Sequence, residues 1–159
     1  MAAVEAGWIG RPIGGSVVMA SHGMEHWHST PEFFYQPGGG PLLDVGPYYL
    51  TQLVNLIGPV AKVTALASTP LASRYVTSPP GPARDIPVGV ATTVNAALLM
   101  ANGANVSLTM SWDVWKHARR PIEIYGTEGT LLNPDPNFFI GGYLAPEKTM
   151  LSARGGDWV

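Results

Sequence analysis

The sequence contains no cysteine, which rules out a disulfide framework and a thiolate metal site. That absence fits a reducing compartment, and the cytoplasm is the expected location. Charge is scarce: 13% of residues are charged, with 9 basic against 11 acidic side chains and a net charge of −2. No Lys/Arg cluster is long enough to follow a phosphate backbone, so no nucleic-acid partner is expected. Long apolar runs are missing too. The opening MAAVEAGWIGRPIGGSVV lacks the basic region and continuous apolar core of a signal peptide, and no membrane association is expected.

The chain has 159 residues, enough for a single domain, since a core of this size buries roughly 68–70% of the unfolded surface without staples. Hydrophobic residues reach 46%. So many apolar side chains beside so few charges predict an exterior partly covered by another surface. The 19 glycines and 15 prolines dilute the charges as well.

Residues 2–6 read as the tail of a helix, with Gly7 as its stop signal. Residues 13–21, IGGSVVMAS, have the length and β-branched content of a strand. The following HGMEHWHSTPEFFYQPGGG holds too many Gly, Pro and polar breaks for a regular element. It is expected to be a long, functional loop, because four aromatics and three histidines argue against disorder. Residues 42–57 read as a helix with Leu50, Leu53, Val54 and Ile57 on one stripe and Gly58-Pro59 as the stop. Pro47 fits only in its first turn, which places the N-cap near Asp44. Residues 60–68 alternate as a strand, and 71–87, with four prolines, read as an excursion between strands. Strands at 88–100 and 105–114 flank Asn102-Gly103, a strong hairpin signal. Val106, Leu108, Met110 and Trp112 make the second strand's apolar face, and that apolar face is expected to drive dimerisation or aggregation. RPIEIYG and GTLLN continue the antiparallel pattern, and the residues after them read as short strands and turns.

Asp44 has two readings from spacing. It is a good N-cap; it is also four residues before Tyr48, so within one helix the carboxylate and phenol share a face and can hold a proton between them. Gly38, Gly39 and Gly40 let backbone approach a ligand or another backbone closely. His22 to His26, HGMEH, matches the H-x-x-E-H pattern of zinc proteases. That pattern needs both histidines on one helix face, whereas here it follows a strand-like run and contains Gly23, so no metal is assigned. His26 and His28 can project together from an extended segment and line a cleft. Trp112 belongs to the core face, while Trp115, past the strand's end, is the better candidate for stacking on a sugar.

Taken together, IGRPIGG, HWHSTPEFFYQPGGGPLLDVGPYYLTQLVNLIGPV and SWDVWKHARRPIEIYGTEGTLLNPDPNFF resemble the C-terminal, substrate-side domain of the Gfo/Idh/MocA oxidoreductases. The specific motifs are G-G-G-x-L-L-D-x-G-x-[HY] at residues 38–48 and I-E-I-Y-G-T-E-G at 122–129. The resemblance implies an α+β fold, an open, mostly antiparallel sheet with a helix packed on one face. It also implies NAD or NADP as cofactor, held by an N-terminal Rossmann domain, a sugar-like small-molecule substrate, and a homo-oligomer formed through the sheet. Asp44 and Tyr48 match the family's catalytic Asp-x-x-x-His, with tyrosine in place of histidine; its reference pKa of about 10 makes it a poorer base near neutrality. His26, His28, Gly39, Gly40 and Trp115 are the substrate-binding candidates.

The sequence shows no G-x-G-x-x-G after a strand and no Glu-Lys-Pro. The Rossmann domain is therefore read as absent, and residues 1–159 as one domain, a fragment of a two-domain oxidoreductase that is inactive alone. Two other readings stand beside it: a catalytically inactive, sheet-mediated interaction module, and a zinc-dependent hydrolase built on His22, Glu25 and His26.

Overall fold

In the computed structural model, residues 2–137 and 149–159 are described. Seven strands form one open sheet: β1 (Pro12–Ala20), β2 (Val60–Ser68), β5 (Thr93–Met100), β6 (Asn105–Ser111), β7 (Ile122–Gly126), β8 (Gly129–Asn133) and β9 (Met150–Ala153). Their order is β2-β5-β6-β1-β7-β8-β9. Every pairing is antiparallel except that of β1 with β6. β3 (Ser73–Val76) and β4 (Arg84–Pro87) pair separately as a small hairpin, so the proline-rich excursion carries a sheet of its own.

The α+β reading and the antiparallel hairpins hold. Sequence order did not foretell that β1 lies in the centre, parallel to β6, because parallel partners are joined by long crossovers and leave no local turn signal. Part of the predicted C-terminal strands, residues 138–148, lies outside the described residues. Among the described residues, no helix is long and apolar enough to cross a membrane.

The chain opens with α1 (Ala2–Glu5), closed by Gly7 at positive φ. The segment expected as one helix over 42–57 is two: α2 (Pro41–Asp44) and α3 (Gly46–Ile57), separated by Val45. Pro47 sits in the first turn of α3 as expected, where its missing N–H costs nothing. The buried stripe of α3 is Tyr49, Leu53, Leu56 and Ile57, while Val54 faces solvent. This stripe packs with Val17, Leu98, Val106, Leu108, Met110, Ile122 and Ile124 of the sheet. A second core, Tyr35, Val76, Ile86 and Trp112, lies beneath the β3–β4 hairpin.

The apolar face of β6 is therefore consumed inside the molecule, and it is not the surface left for association. Cross-strand partners point to the same side of a sheet. The register places Asn95, Ala97 and Leu99 of β5 with Thr109, Ser107 and Asn105 of β6 and with Leu66, Thr64 and Lys62 of β2 on the other, open face. It is a mixed face of small polar groups with scattered leucines, and Leu66 is 81% exposed.

Two of the sequence motifs meet at one sheet end. Thr127 N donates to Arg11 O, Glu128 N donates to Ile9 O, and a Cβ at Gly126 would run into the Ile9 carbonyl. It is the missing Cβ of that glycine that the chain packing requires.

Leu53 is fully buried between α3 and the sheet. Leu53→Ala should cost about 2–5 kcal/mol by loss of transfer energy plus the cavity left behind, read as a lower urea midpoint at unchanged m-value.

Candidate active site

The loop after β1 is held by one buried cation. Arg74, on β3 and 2% exposed, donates from Nη1 to Glu25 Oε1 at 3.1 Å and pairs through Nη2 with Asp113 Oδ1. Glu25 also accepts from Tyr35 Oη, and the guanidinium carbon lies 5.5 Å from the Tyr35 ring centre. Asp113, just past β6, takes further hydrogen bonds from Thr92 and Thr93. Burial, then the Glu25 hydrogen bond, push the Tyr35 phenol far up, so it stays a donor.

This frame fixes the Gly-rich turn. The 3₁₀ segment Pro31–Tyr35 presents its Phe34 carbonyl to Gly40 N at 2.8 Å, and Asp44 N donates to Gly40 O at 3.0 Å. A Cβ on Gly39 would strike the Phe34 carbonyl, and one on Gly40 would meet Ala91 O at 2.9 Å. Backbone approach to backbone thus accounts for both glycines.

Asp44 is the last residue of α2. The expectation that it caps the main helix is wrong: Val45 occupies that position and no side-chain cap is made. The Gly-Pro start of α3 makes a separate first turn, and Tyr48 N donates to Val45 O at 3.1 Å. Asp44 is half-buried, and that desolvation raises its pKa above the ordinary 3.8. Tyr48 is 43% exposed. The residues directly following each of them, Val45 and Tyr49, line a cavity of about 430 Å³ with Met24, Trp27, Trp112 and His117. Tyr49 Oη donates to Asp135 Oδ1 at 2.6 Å across this cavity's wall. Burial and that carboxylate push the Tyr49 phenol far up, which keeps it protonated.

The histidines do not act as one pair. His26 Nδ1 lies 2.7 Å from Thr77 Oγ1, and its ring sits beside His22 and Trp115. His28 packs against Trp27, Phe33 and Phe34, and its Nδ1 accepts from Thr30 N. The extended segment expected to aim them together is a turn, closed by His28 N donating to Met24 O. Trp115 is 77% exposed, as its place past the strand suggested, and lies flat on His22. Trp112 is fully buried.

Sequence reading missed Arg74, Asp113, Tyr49 and Asp135. Arg74 stood in a proline-rich stretch that reads as surface, and its two carboxylates lie 49 and 39 positions away. No local pattern around it in PLASRYVT marks it as buried.

A sequence profile described as the GFO/IDH/MocA C-terminal domain matches residues 1–132. The chain belongs to this family. No curated protein sequence matches it. Among solved structures, levoglucosan dehydrogenase in complex with NADH and levoglucosan is similar at a TM-score of 0.72 and 23% identity, covering 98% of this chain and 39% of that one. An NAD-binding oxidoreductase from Klebsiella pneumoniae gives 0.69 and 23%, with the same coverages. The transcriptional regulator Gal80p from Kluyveromyces lactis gives 0.74 at 15% identity, covering 99% and 40%. The chain thus spans about two-fifths of the length of these proteins, and at such identities the likeness is one of fold.

Two outcomes follow for this GFO/IDH/MocA domain. Arg74→Ala strands Glu25 and Asp113 without their counter-charge and should cost about 3–5 kcal/mol, measurable by urea unfolding. The raised Asp44 pKa means the unfolded chain loses this proton first as pH rises. Asp44 therefore lowers stability progressively from its ordinary value near 3.8 upward through its native value. Asp44→Asn should match the unaltered chain at low pH and gain on it in urea midpoint as pH rises to neutrality.

Proposed function

We propose that this chain is the substrate-binding and oligomerising half of an NAD(P)-dependent oxidoreductase acting on a sugar, polyol or related carbonyl compound. The observation that carries this reading is the placement of Asp44 and Tyr48, a desolvated carboxyl with a raised pKa and an exposed phenol, next to residues that wall a cavity. The relatives in solved structures bound to NADH support the cofactor class.

Among the described residues, no strand–glycine loop–helix cradles a dinucleotide. Gly39 and Gly40 are closed against the chain's own carbonyls, so the cofactor would be held by a separate Rossmann domain. What this chain supplies is proton handling and placement. When a carbonyl becomes a hydroxyl its oxygen gains a proton, which the Tyr48 phenol donates, and in the reverse direction the phenolate takes that proton back; Asp44 orients that hydroxyl. Trp27, Phe33, Leu43 and Tyr48 are all exposed, and they crowd the segment leading into α3. That apolar stretch is where a second domain would seat.

The test begins with the reading frame that encodes this chain. An in-frame dinucleotide-binding segment supports the proposal, and Tyr48→Phe in that parent protein should then lower kcat about 10²–10⁴-fold at unchanged dinucleotide affinity. Asp44→Asn should lose activity while gaining stability. A frame confined to these residues, or a fully active Tyr48→Phe enzyme, overturns the assignment.

The second reading, an interaction module without chemistry, draws on the similarity to Gal80p and on the open sheet face. Both readings put self-association on that face. Leu66→Lys with Leu99→Lys should shift a dimer to monomer by light scattering, and a native chain that is monomeric at high concentration would remove the oligomer from both.

A further inference from the structure

A second cluster stands apart from Asp44 and Tyr48. His22, Glu25 and His26 each bring one ligand-type atom within 4.8 Å of the others. With Arg74 and Trp115 they line a cavity of about 400 Å³ that shares no residue with the one beside α3. The H-x-x-E-H pattern ordinarily sits on a helix; here a turn brings its three residues together without one.

The rings are arranged for coordination. The centroids of Trp115 and His22 are 3.2 Å apart with 16° between the planes, so the indole covers the imidazole face. His26 is 5.3 Å from His22 with 9° between their planes, and 6.1 Å from Trp115. These separations make nearly a right angle at His22, which sets His26 beside His22 in almost the same plane. A ring nitrogen's lone pair lies in the ring plane, so side-by-side imidazoles can aim at one ion where face-stacked ones cannot.

The surrounding bonds fit as well. His26 Nδ1 lies 2.7 Å from Thr77 Oγ1, and the tautomer in which Nδ1 donates to that hydroxyl leaves Nε2 as the ligating nitrogen, held by an outer-shell hydrogen bond. His22 Nδ1 is buried without a hydrogen-bond partner. Arg74 and Tyr35 fix the plane of the Glu25 carboxylate while leaving lone pairs on both oxygens. Glu25 and Asp113 place two negative charges against the single guanidinium of Arg74, which leaves room for a cation.

We propose that His22, Glu25 and His26 form a two-histidine, one-carboxylate site for a divalent ion of the zinc type, with a remaining coordination position open to the cavity. Zn–N and Zn–O bonds of about 2.0–2.2 Å hold tetrahedral donors roughly 3.3–3.5 Å apart. Binding therefore draws the cluster inward, and His26, exposed on its turn, is the residue that moves. A neutral oxygen ligand such as water or a hydroxyl suits the open position.

The test is calorimetric titration of the chelator-stripped 159-residue chain with zinc(II) alone. One ion per chain is expected. His26→Gln should weaken binding at least about tenfold, whereas His28→Ala and His117→Ala, the remaining histidines, should leave it unchanged. Because His22→Ala removes the surface under Trp115 and can disturb the fold, the unaltered chain is also titrated with cobalt(II), whose visible ligand-field band reports four- or five-coordination. Substoichiometric zinc, a cobalt spectrum of the six-coordinate aqua ion, or binding indifferent to His26→Gln overturns the site.

Discussion

The arrangement of this domain depends on a guanidinium that has left water. Arg74 is sealed between Glu25, Asp113 and the Tyr35 ring, and isolated burial of any of these charges would cost several kcal/mol. Their shared position is tolerable only because each satisfies another. The consequence reaches along the chain. The loop after β1 has little regular structure of its own, yet Glu25 O accepts from Thr77 N and Ser78 N, and Tyr35 O accepts from Gly89 N. The loop, the β3–β4 hairpin and the end of β6 are thereby one unit. From Tyr35 the chain passes through Phe34 O, Gly40 and Asp44 N, so the placement of the candidate acid rests on an ion cluster some distance away.

Local signals in the sequence were read correctly where the cause is local. Asn102-Gly103 turns β5 into β6, with Gly103 at positive φ, and the alternation from Val106 to Trp112 is the buried side of β6. The long helix was visible by its spacing, but its first turn was not. Val45 interrupts it because Gly46-Pro47 begins a new hydrogen-bonding run, and Asp44 thereby loses the capping role that its residue type suggested. Long-range features left no trace: the parallel pairing of β1 with β6, and the meeting of Arg74 with carboxylates from two other elements. The H-x-x-E-H stretch is the converse case, since a turn brings its three residues together without the helix the pattern ordinarily uses.

The composition also takes on a different meaning once the faces are sorted. An excess of apolar residues over charges suggested a covered surface, and the apolar strand face looked like the part to cover. That face is already filled by Tyr49, Leu53, Leu56 and Ile57 of α3. Among the apolar side chains that remain outside are Leu66 and Leu99 on the small, polar side of the sheet, and Trp27, Phe33, Leu43 and Tyr48 on the segment leading into α3. These are two distinct surfaces, so a covered exterior need not mean a single contact.

Fold alone does not choose between chemistry and regulation, since an oxidoreductase and the transcriptional regulator Gal80p share this sheet at comparable TM-scores. The decision falls to a few side chains that the core does not require. Asp44 makes the strongest case. It caps no helix, its half-buried carboxyl has a raised pKa, and a hydrophobic or amide side chain would lack that desolvation penalty. A residue that costs stability where packing does not demand it is one whose presence calls for a functional explanation. The same reasoning applies to His22, whose buried Nδ1 lacks a hydrogen-bond partner beneath an exposed tryptophan. Both positions sit on the loop and turn that Arg74 anchors, so the rigidity conferred by the ion cluster is spent on holding polar groups in places that folding by itself would avoid.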